Sequence, residues 1–213
     1  MKDIAIYGAG GFGREIACLL RQINISEPIW NFVGFFDDGI AKGSKNEYGE
    51  ILGSTSELNS WQSDLSIVVA IGSPNVVKNV ITKITNSRIT FPNIIAPTVL
   101  FLDRESVIMG RGNIFCNNCM ISCNTTFGDF NMFNGYILIG HDTKVGSYNV
   151  IMSSCNISGG VEIGSYNFFG VQSVILQYIK VGNNTRIGAN SVIIKKTQDN
   201  NLYIGNPAIK AKF

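Results

Sequence analysis

Every sixth residue from Met109 to Ile193 is apolar: Met109, Phe115, Ile121, Phe127, Phe133, Ile139, Val145, Ile151, Ile157, Ile163, Phe169, Ile175, Val181, Ile187 and Ile193. In a chain that is 45% hydrophobic, fifteen consecutive hits arise by chance with a probability of about 1 in 100,000. Eight of these residues are followed by glycine: Gly110, Gly128, Gly140, Gly146, Gly164, Gly170, Gly182 and Gly188. Four residues after the apolar position the side chain is often small, as at Cys119, Thr125, Thr143, Cys155, Ser173, Thr185 and Ser191. A period of six is neither the 3.6 of a helix nor the 2 of a strand. It suits a three-sided prism in which each hexad supplies one short strand and one corner. Three hexads close one coil, with the apolar residue inside and the small one near the corner. This predicts a parallel β-helix of five coils, uninterrupted by any loop longer than a corner.

Residues 1 to 93 follow a different pattern. "DIAIYGAGGFGREIACLLRQIN" reads as a buried strand, a glycine turn and an amphipathic helix. "NFVGFFDD" reads as a second strand ending in Asp37 and Asp38, and "LSIVVAIGSPNVVKNVITKIT" as a third strand and a further helix. Alternating strands and helices with short links predict a parallel sheet with helices on its faces. The expected organisation is therefore an α/β Rossmann-like domain over residues 1–93 and an all-β helix over 94–213, with "RITFPNIIAPTVLF" leading across. Gly8, Gly10 and Gly13 form a G-x-G-x-x-G between the first strand and its helix, with an acid, Asp37, closing the next strand. Such glycines let the backbone approach a diphosphate, and the helix start offers free N–H groups and a positive dipole end. A nicotinamide enzyme would fit these features, but only about three clear strands are legible and no catalytic pair follows them. A nucleotide-linked sugar would use the same diphosphate cradle. A turn in which the glycines serve only the fold is the plainer reading of the same spacing.

Composition narrows the partners. The net charge is +2 without a run of Lys or Arg, so nucleic acid is not expected. "MKDIAIYGAGG" is apolar for too few residues to be a signal segment, and no stretch approaches the ~18 apolar residues of a membrane span. A soluble, cytoplasmic protein is the expectation. Cys18, Cys116, Cys119, Cys123 and Cys155 are then free thiols. The single C-x-x-C at Cys116 and Cys119 lacks a second pair, and the lone histidine lies three hexads past Cys123. No metal is expected, and the cysteines read as small residues packed inside the repeat.

Several phrases occur in an order that resembles the bacterial sugar acetyltransferases of the NeuD/PglD type. They are "YGAGGFGREIA", "VGFFDD", "ILGSTSEL", "VVAIGSPN", "FPNIIAPTV", "IGHDTKVGSYNVI", "FFGVQSVILQYIKVGNNTRIGANSVIIKK" and "YIGNPAIK". The resemblance covers nearly the whole chain. It implies a small Rossmann-like domain joined to a left-handed β-helix, acetyl-CoA as co-substrate, and homotrimers. By this resemblance His141 and Asp142 match the family's histidine and following acid. Val171 and Ala189 match its contacts to the pantetheine arm. The nucleotide-sugar acceptor falls to Gly8, Gly10, Gly11, Phe12, Gly13, Asp37, Asp38 and Ser73. Two positions depart from the family pattern: Phe12 stands where a histidine is frequent in the glycine turn, and Val150 stands where many members carry a second histidine.

His141 is the only histidine in the chain. Residues three hexads apart share a corner on adjacent coils, about 4.8 Å apart, so His141 stacks against Gly159. A neutral imidazole can take a proton near pH 7, and a glycine N–H left open beside it can stabilise a developing oxyanion. Asp142 would hold the imidazole tautomer, through a neighbouring segment if strand alternation points the two side chains apart. Val171 and Ala189, also three hexads apart, lie on a different corner, which suggests an active site shared between neighbouring prisms. Lys195, with Lys196 and Lys210, is a candidate for the CoA phosphates; a solvated basic end explains these lysines equally well. The expected activity is transfer of acetyl from acetyl-CoA to an amino group of a nucleotide-activated sugar in surface-glycan synthesis. O-acetylation of a sialic acid or related sugar, and a non-catalytic sugar-nucleotide-binding scaffold, are the alternatives.

Overall fold

The computed structural model describes residues 1–211. The chain divides into two compact units, Met1–Pro97 and the remainder from Thr98.

The first unit is built from β1 (Lys2–Tyr7), α1 (Gly11–Ser26), β2 (Trp30–Phe36), β3 (Lys45–Asn46), β4 (Gly49–Gly53), α2 (Thr55–Asn59), β5 (Leu65–Val69), α3 (Pro74–Lys83) and β6 (Ile89–Thr90). Its sheet has six strands in the order β3-β4-β2-β1-β5-β6. All neighbours are parallel except β3 and β4. The sequence announces only β1, β2 and β5, because these are the apolar runs; β3 and β6 are two residues each. Ile4, Ala5 and Ile6 of central β1 are fully buried, as expected of a strand with both faces covered. The amphipathic face of α1 buries Ile16, Ala17, Leu19, Leu20 and Ile23, and α3 buries Val77 and Val80.

The second unit is the parallel β-helix. Its first face carries the strands Ile114–Phe115, Met132–Phe133, Val150–Ile151, Phe168–Phe169, Arg186–Ile187 and Leu202–Gly205. The second face carries Leu100–Phe101, Met120–Ile121, Leu138–Ile139, Asn156–Ile157, Val174–Ile175 and Val192–Ile193. The third carries Ile108–Met109, Thr126–Phe127, Lys144–Val145, Glu162–Ile163 and Lys180–Val181. Ladder partners along the repeat are three hexads apart, as in Ile139 with Ile157 and Ile157 with Ile175. Of the fifteen periodic apolar residues, all but the first, Met109, are buried. At the N-terminal end the Phe115 and Phe133 rings stack at 4.4 Å with Phe127 edge-on to both.

Each corner from Gly112 to Asn190 turns through a residue in the left-handed region, three positions after the inward apolar one. Asn118, Asn124, Phe130, Tyr136, Asp142, Tyr148, Ser154, Tyr166, Gln172, Tyr178, Asn184 and Asn190 all have φ between 49° and 64°. Gly112 and Gly160 fill the same position at φ 68°. Positive φ is disfavoured for side chains this large, and the strand ladders on either side hold it in place.

One interior corner is polar throughout. Asn113, Asn131, Asn149, Asn167 and Thr185 are each at most 1% exposed and recur once per coil. The Asn131 side-chain oxygen accepts from the Asn149 backbone N–H and side-chain N–H, both at 2.9 Å. The Asn149 oxygen accepts from Asn167 N–H at 2.9 Å, and the Asn167 oxygen from Thr185 N–H at 2.7 Å. The buried amides thus bind coil to coil. Cys119 and Cys155 pack inside as the repeat predicts, their thiols directed at the carbonyls of Asn134 and Gly170. Cys116 and Cys123 do not; both are only partly buried, at or beside a corner. Among the described residues no helix is long and apolar enough to cross a membrane.

Candidate active site

His141 stands on the corner between the second and third faces. Ile139 is drawn into the core and the chain turns at once through Asp142, at φ 57°. That left-handed residue cancels the alternation of a strand, so adjacent side chains meet directly. His141 Nδ1 and Asp142 Oδ2 are 2.7 Å apart. The sequence expectation that Asp142 would act through a neighbouring segment is thereby corrected; alternation holds within a strand, and these residues are past its end. The Asp142 carboxyl is held below its ordinary value, first by the bond from His141 and then by one from Asn124, whose Nδ2 donates to Asp142 Oδ1 at 3.2 Å. Asn124, one coil before Asp142, was not foreseen; its one-coil spacing from the acid was the available signal. His141 and Asp142 are roughly half exposed, so solutes can reach the imidazole. With Nδ1–H donated to the carboxylate, the neutral ring presents its Nε2 lone pair.

Nε2 lies over Gly159. A Cβ at Gly159 would stand 2.5 Å from Nε2 and 2.6 Å from Cε1, so only glycine accommodates the ring as placed. Gly140 plays a matching part: a side chain there would overlap the backbone nitrogen of Gly159. Gly170 likewise leaves room beside the nitrogen of Ala189. Among the described residues, no acceptor takes the backbone N–H of Gly159, Val171 or Ala189.

The corner between the third and first faces is closed by contrast. There the N–H groups of Arg111, Asp129, Ser147, Ser165 and Asn183 each donate to a side-chain oxygen one coil on, from Asp129, Ser147, Ser165, Asn183 and Asp199, at 2.8–3.0 Å. The two open corners are those carrying His141 with Gly159 and Val171 with Ala189, and both border the second face. Val171 is 39% exposed and Ala189 is exposed. Lys195 is exposed on the His141 corner, three coils on and so about 14 Å along the prism. Val150 is buried, at 1% exposure, and offers no polar group in place of a second histidine.

In the first unit the glycine turn separates into two kinds of position. Gly8 has φ 106°, and a Cβ there would press on the Ala70 carbonyl. A Cβ at Gly13 would overlap the Gly8 carbonyl oxygen. These two serve the packing of turn against helix. Gly10 and Gly11 face open space, with nothing within 4 Å of an added Cβ. Gly10 is the N-cap of α1 and Ser73 the N-cap of α3; neither helix start is capped by a side chain or carries an acid in its first turn. The two starts follow adjacent β1 and β5, where the strand order reverses, the crevice at which open α/β sheets take ligands. Phe12 is half-buried in the first turn of α1. Asp37 is tied to the turn: Oδ2 accepts from Ala9 N–H at 2.9 Å and Oδ1 from Gly39 N–H at 2.8 Å. Asp38 accepts from Thr55 N–H at 2.8 Å. Burial alone would raise the Asp38 pKa, but bonds from Thr55 and Tyr7 outweigh it and hold the carboxyl below its ordinary value. The Tyr7 hydroxyl, bonded to Thr55, is itself raised, chiefly by burial.

The fold and site define a class: an α/β unit with an open glycine turn, followed by a hexapeptide-repeat left-handed β-helix with a histidine–acid pair on an open corner. Residues 3–84 match the PglD N-terminal domain. No curated protein sequence matches it. The fold of the whole chain is shared with the acetyltransferase domain of PglB from Neisseria gonorrhoeae FA1090, with a TM-score of 0.88 at 24% identity over 99% of this chain and 100% of that one. WeeI from Acinetobacter baumannii AYE aligns with a TM-score of 0.88 at 23% identity, over 99% of this chain and 100% of its own. PerB from Caulobacter crescentus, solved in complex with CoA and GDP-perosamine, aligns with a TM-score of 0.85 at 22% identity, over 100% and 98% of the two chains.

Proposed function

We propose that this protein transfers acetyl from acetyl-CoA to the amino group of a nucleotide-linked sugar. The observation that carries the reading is His141 Nε2, oriented by Asp142 and lying over the open N–H of Gly159. The amine nitrogen attacks the thioester carbonyl while His141 Nε2 takes the amine proton. The Gly159 N–H faces the carbonyl oxygen as it gains charge. The C–S bond then breaks and the sulfur leaves as the thiol, taking the proton held by His141. Asp142, anchored by Asn124, stabilises the imidazolium between the two transfers. The acceptor's diphosphate lies at Gly10 and Gly11, where the starts of α1 and α3 supply free N–H groups. Both substrates are cytoplasmic metabolites, which supports a cytoplasmic role in glycan synthesis.

The working form is a homotrimer with the site between subunits. The outward residues of the second face are Leu100, Met120, Leu138, Val174 and Val192, with Asn156 among them, whereas the third carries Lys144, Glu162 and Lys180 after Ile108 and Thr126, with a Lys180–Glu162 pair at 2.8 Å. Turning the apolar face toward a threefold axis sets the His141 corner of one prism beside the Val171 corner of the next. Acetyl-CoA-dependent thiol release with a panel of nucleotide-linked amino and hydroxy sugars tests the activity. His141→Ala is expected to lower kcat about 10²- to 10⁴-fold while CoA still binds. Activity within a few-fold of wild type would remove His141 from the mechanism, and release only with hydroxyl acceptors would favour O-acetylation.

A further inference from the structure

Tyr178 is the most exposed aromatic residue on the His141 corner, at 74%, yet its ring is not loose. Its backbone turns through φ 61°, and its N–H donates to the Gly159 carbonyl at 3.1 Å. The ring lies back on Gly160, where an added Cβ would stand 2.5 Å from Cδ1 and 2.7 Å from Cε1. Gly160 and Tyr178 repeat the relation of Gly159 to His141 in the opposite sense. The imidazole leans forward over Gly159 and the phenol leans back over Gly160, so the glycine pair carries a ring from each side. The corner tyrosines between the third and first faces differ: Tyr148 and Tyr166 stack on one another at 5.2 Å and cover each other's ring faces. Tyr178 has no such aromatic neighbour among the described residues, because Gly160 precedes it on the corner and Lys196 follows it one coil on.

The repeat fixes where that ring stands along the prism. One coil rises about 4.8 Å. Val171 lies five hexads past His141, hence about 8 Å farther along the axis. Tyr178 lies little more than one hexad past Val171, within about 2 Å of its level. In the threefold arrangement proposed above, Tyr178 of one subunit therefore faces the Val171 level of the next across the cleft. A thioester with its carbonyl at His141 reaches the β-alanine segment of its pantetheine arm about 8 Å on, at about 1.25 Å per bond in an extended chain.

We infer that Tyr178 is the wall of the acyl-donor channel opposite Val171, and that its ring packs against the β-alanine segment of the pantetheine arm. This rests on the acetyl-CoA reading. The residue is a binding and positioning group; no proton passes through it. Glycine at 160 keeps the ring against the corner and clear of the path.

The test compares two acyl donors: acetyl-CoA, and S-ethyl thioacetate, which ends before the β-alanine segment. Tyr178→Ala is expected to raise the KM for acetyl-CoA about tenfold with kcat little changed, and to leave kcat/KM for the short thioester as in wild type. Tyr178→Phe is expected to keep wild-type values with both, since the ring makes the contact. Thermal unfolding of Tyr178→Ala at wild-type temperature excludes a folding defect. An unchanged KM for acetyl-CoA in Tyr178→Ala, or equal losses with both donors, overturns the inference. Titration of CoA into the wild-type protein separates this failure from a deeper one: if wild type neither binds CoA nor releases thiol, the acetyltransferase reading itself falls.

Discussion

Gly159→Ala separates catalysis from stability at a single methyl group. The added Cβ would sit 2.5 Å from His141 Nε2, whereas ordinary contact begins near 3.4 Å, so the ring must retreat by about 0.9 Å. Its partner Asp142 holds it at 2.7 Å on the other nitrogen, and the ring cannot keep that bond while moving so far. A displacement near 1 Å at a reacting group costs about 10²-fold in rate, or about 2.7 kcal/mol in the barrier. The fold has little reason to respond. Gly159 does not have positive φ, so alanine fits the backbone and stabilises by about 0.4–1 kcal/mol through the unfolded chain. The His141–Asp142 pair that is lost is exposed, and screening by water leaves it little weight in the stability of the fold. Thiol release under saturating acceptor should therefore fall about 100-fold, while the midpoint of thermal unfolding by circular dichroism stays near wild type. Activity within threefold of wild type would refute the placement of the imidazole over Gly159. A parallel loss of stability would refute the claim that the glycine serves the chemistry.

Gly10→Val meets open space and should raise the KM for the nucleotide sugar, leaving the KM for acetyl-CoA and the unfolding midpoint unchanged; Gly13→Ala collides with the Gly8 carbonyl and should lower the midpoint instead. Asn149→Ala removes the acceptor of Asn167 N–H and a donor to Gly164 O, two partly or fully buried groups, and should cost about 3 kcal/mol in urea unfolding. Glu57 accepts from Ser54 N–H at 2.9 Å and Ser54 Oγ at 2.7 Å in the capping box of α2, and these bonds lower its pKa from 4.5 to about 2. Its charge-dependent contribution is fully present above about pH 4.5 and is lost as the pH falls through about 2. The unfolding midpoints of wild type and Glu57→Gln should differ by a constant amount above about pH 5 and converge near pH 2; a gap that widens on acidification would contradict the capping box as its source.

The six-residue period determined the β-helix without help from anything else, because the inward face of a prism admits only apolar side chains and the ladder forces the same register on every coil. Strand, glycine turn and helix at the start determined the α/β unit in the same way, since β5 and the C-terminal parts of β1 and β2 are buried on both faces and form apolar runs. The sequence also marked His141 and Gly159 as neighbours, a consequence of three hexads per coil. It did not mark the asparagine ladder, because an amide at an interior position looks like a loop residue until the coil above supplies its partner. Nor did it distinguish Gly8 and Gly13 from Gly10 and Gly11. Spacing treats the four alike, and only packing shows which would collide with a carbonyl and which face solvent. The direct contact of Asp142 with His141 depended on one backbone angle at a corner, where strand alternation no longer governs. Which corners are open was likewise settled in three dimensions. An N–H is free or capped according to the side chain one coil away, and that neighbour exists only once the chain has wound round to meet itself.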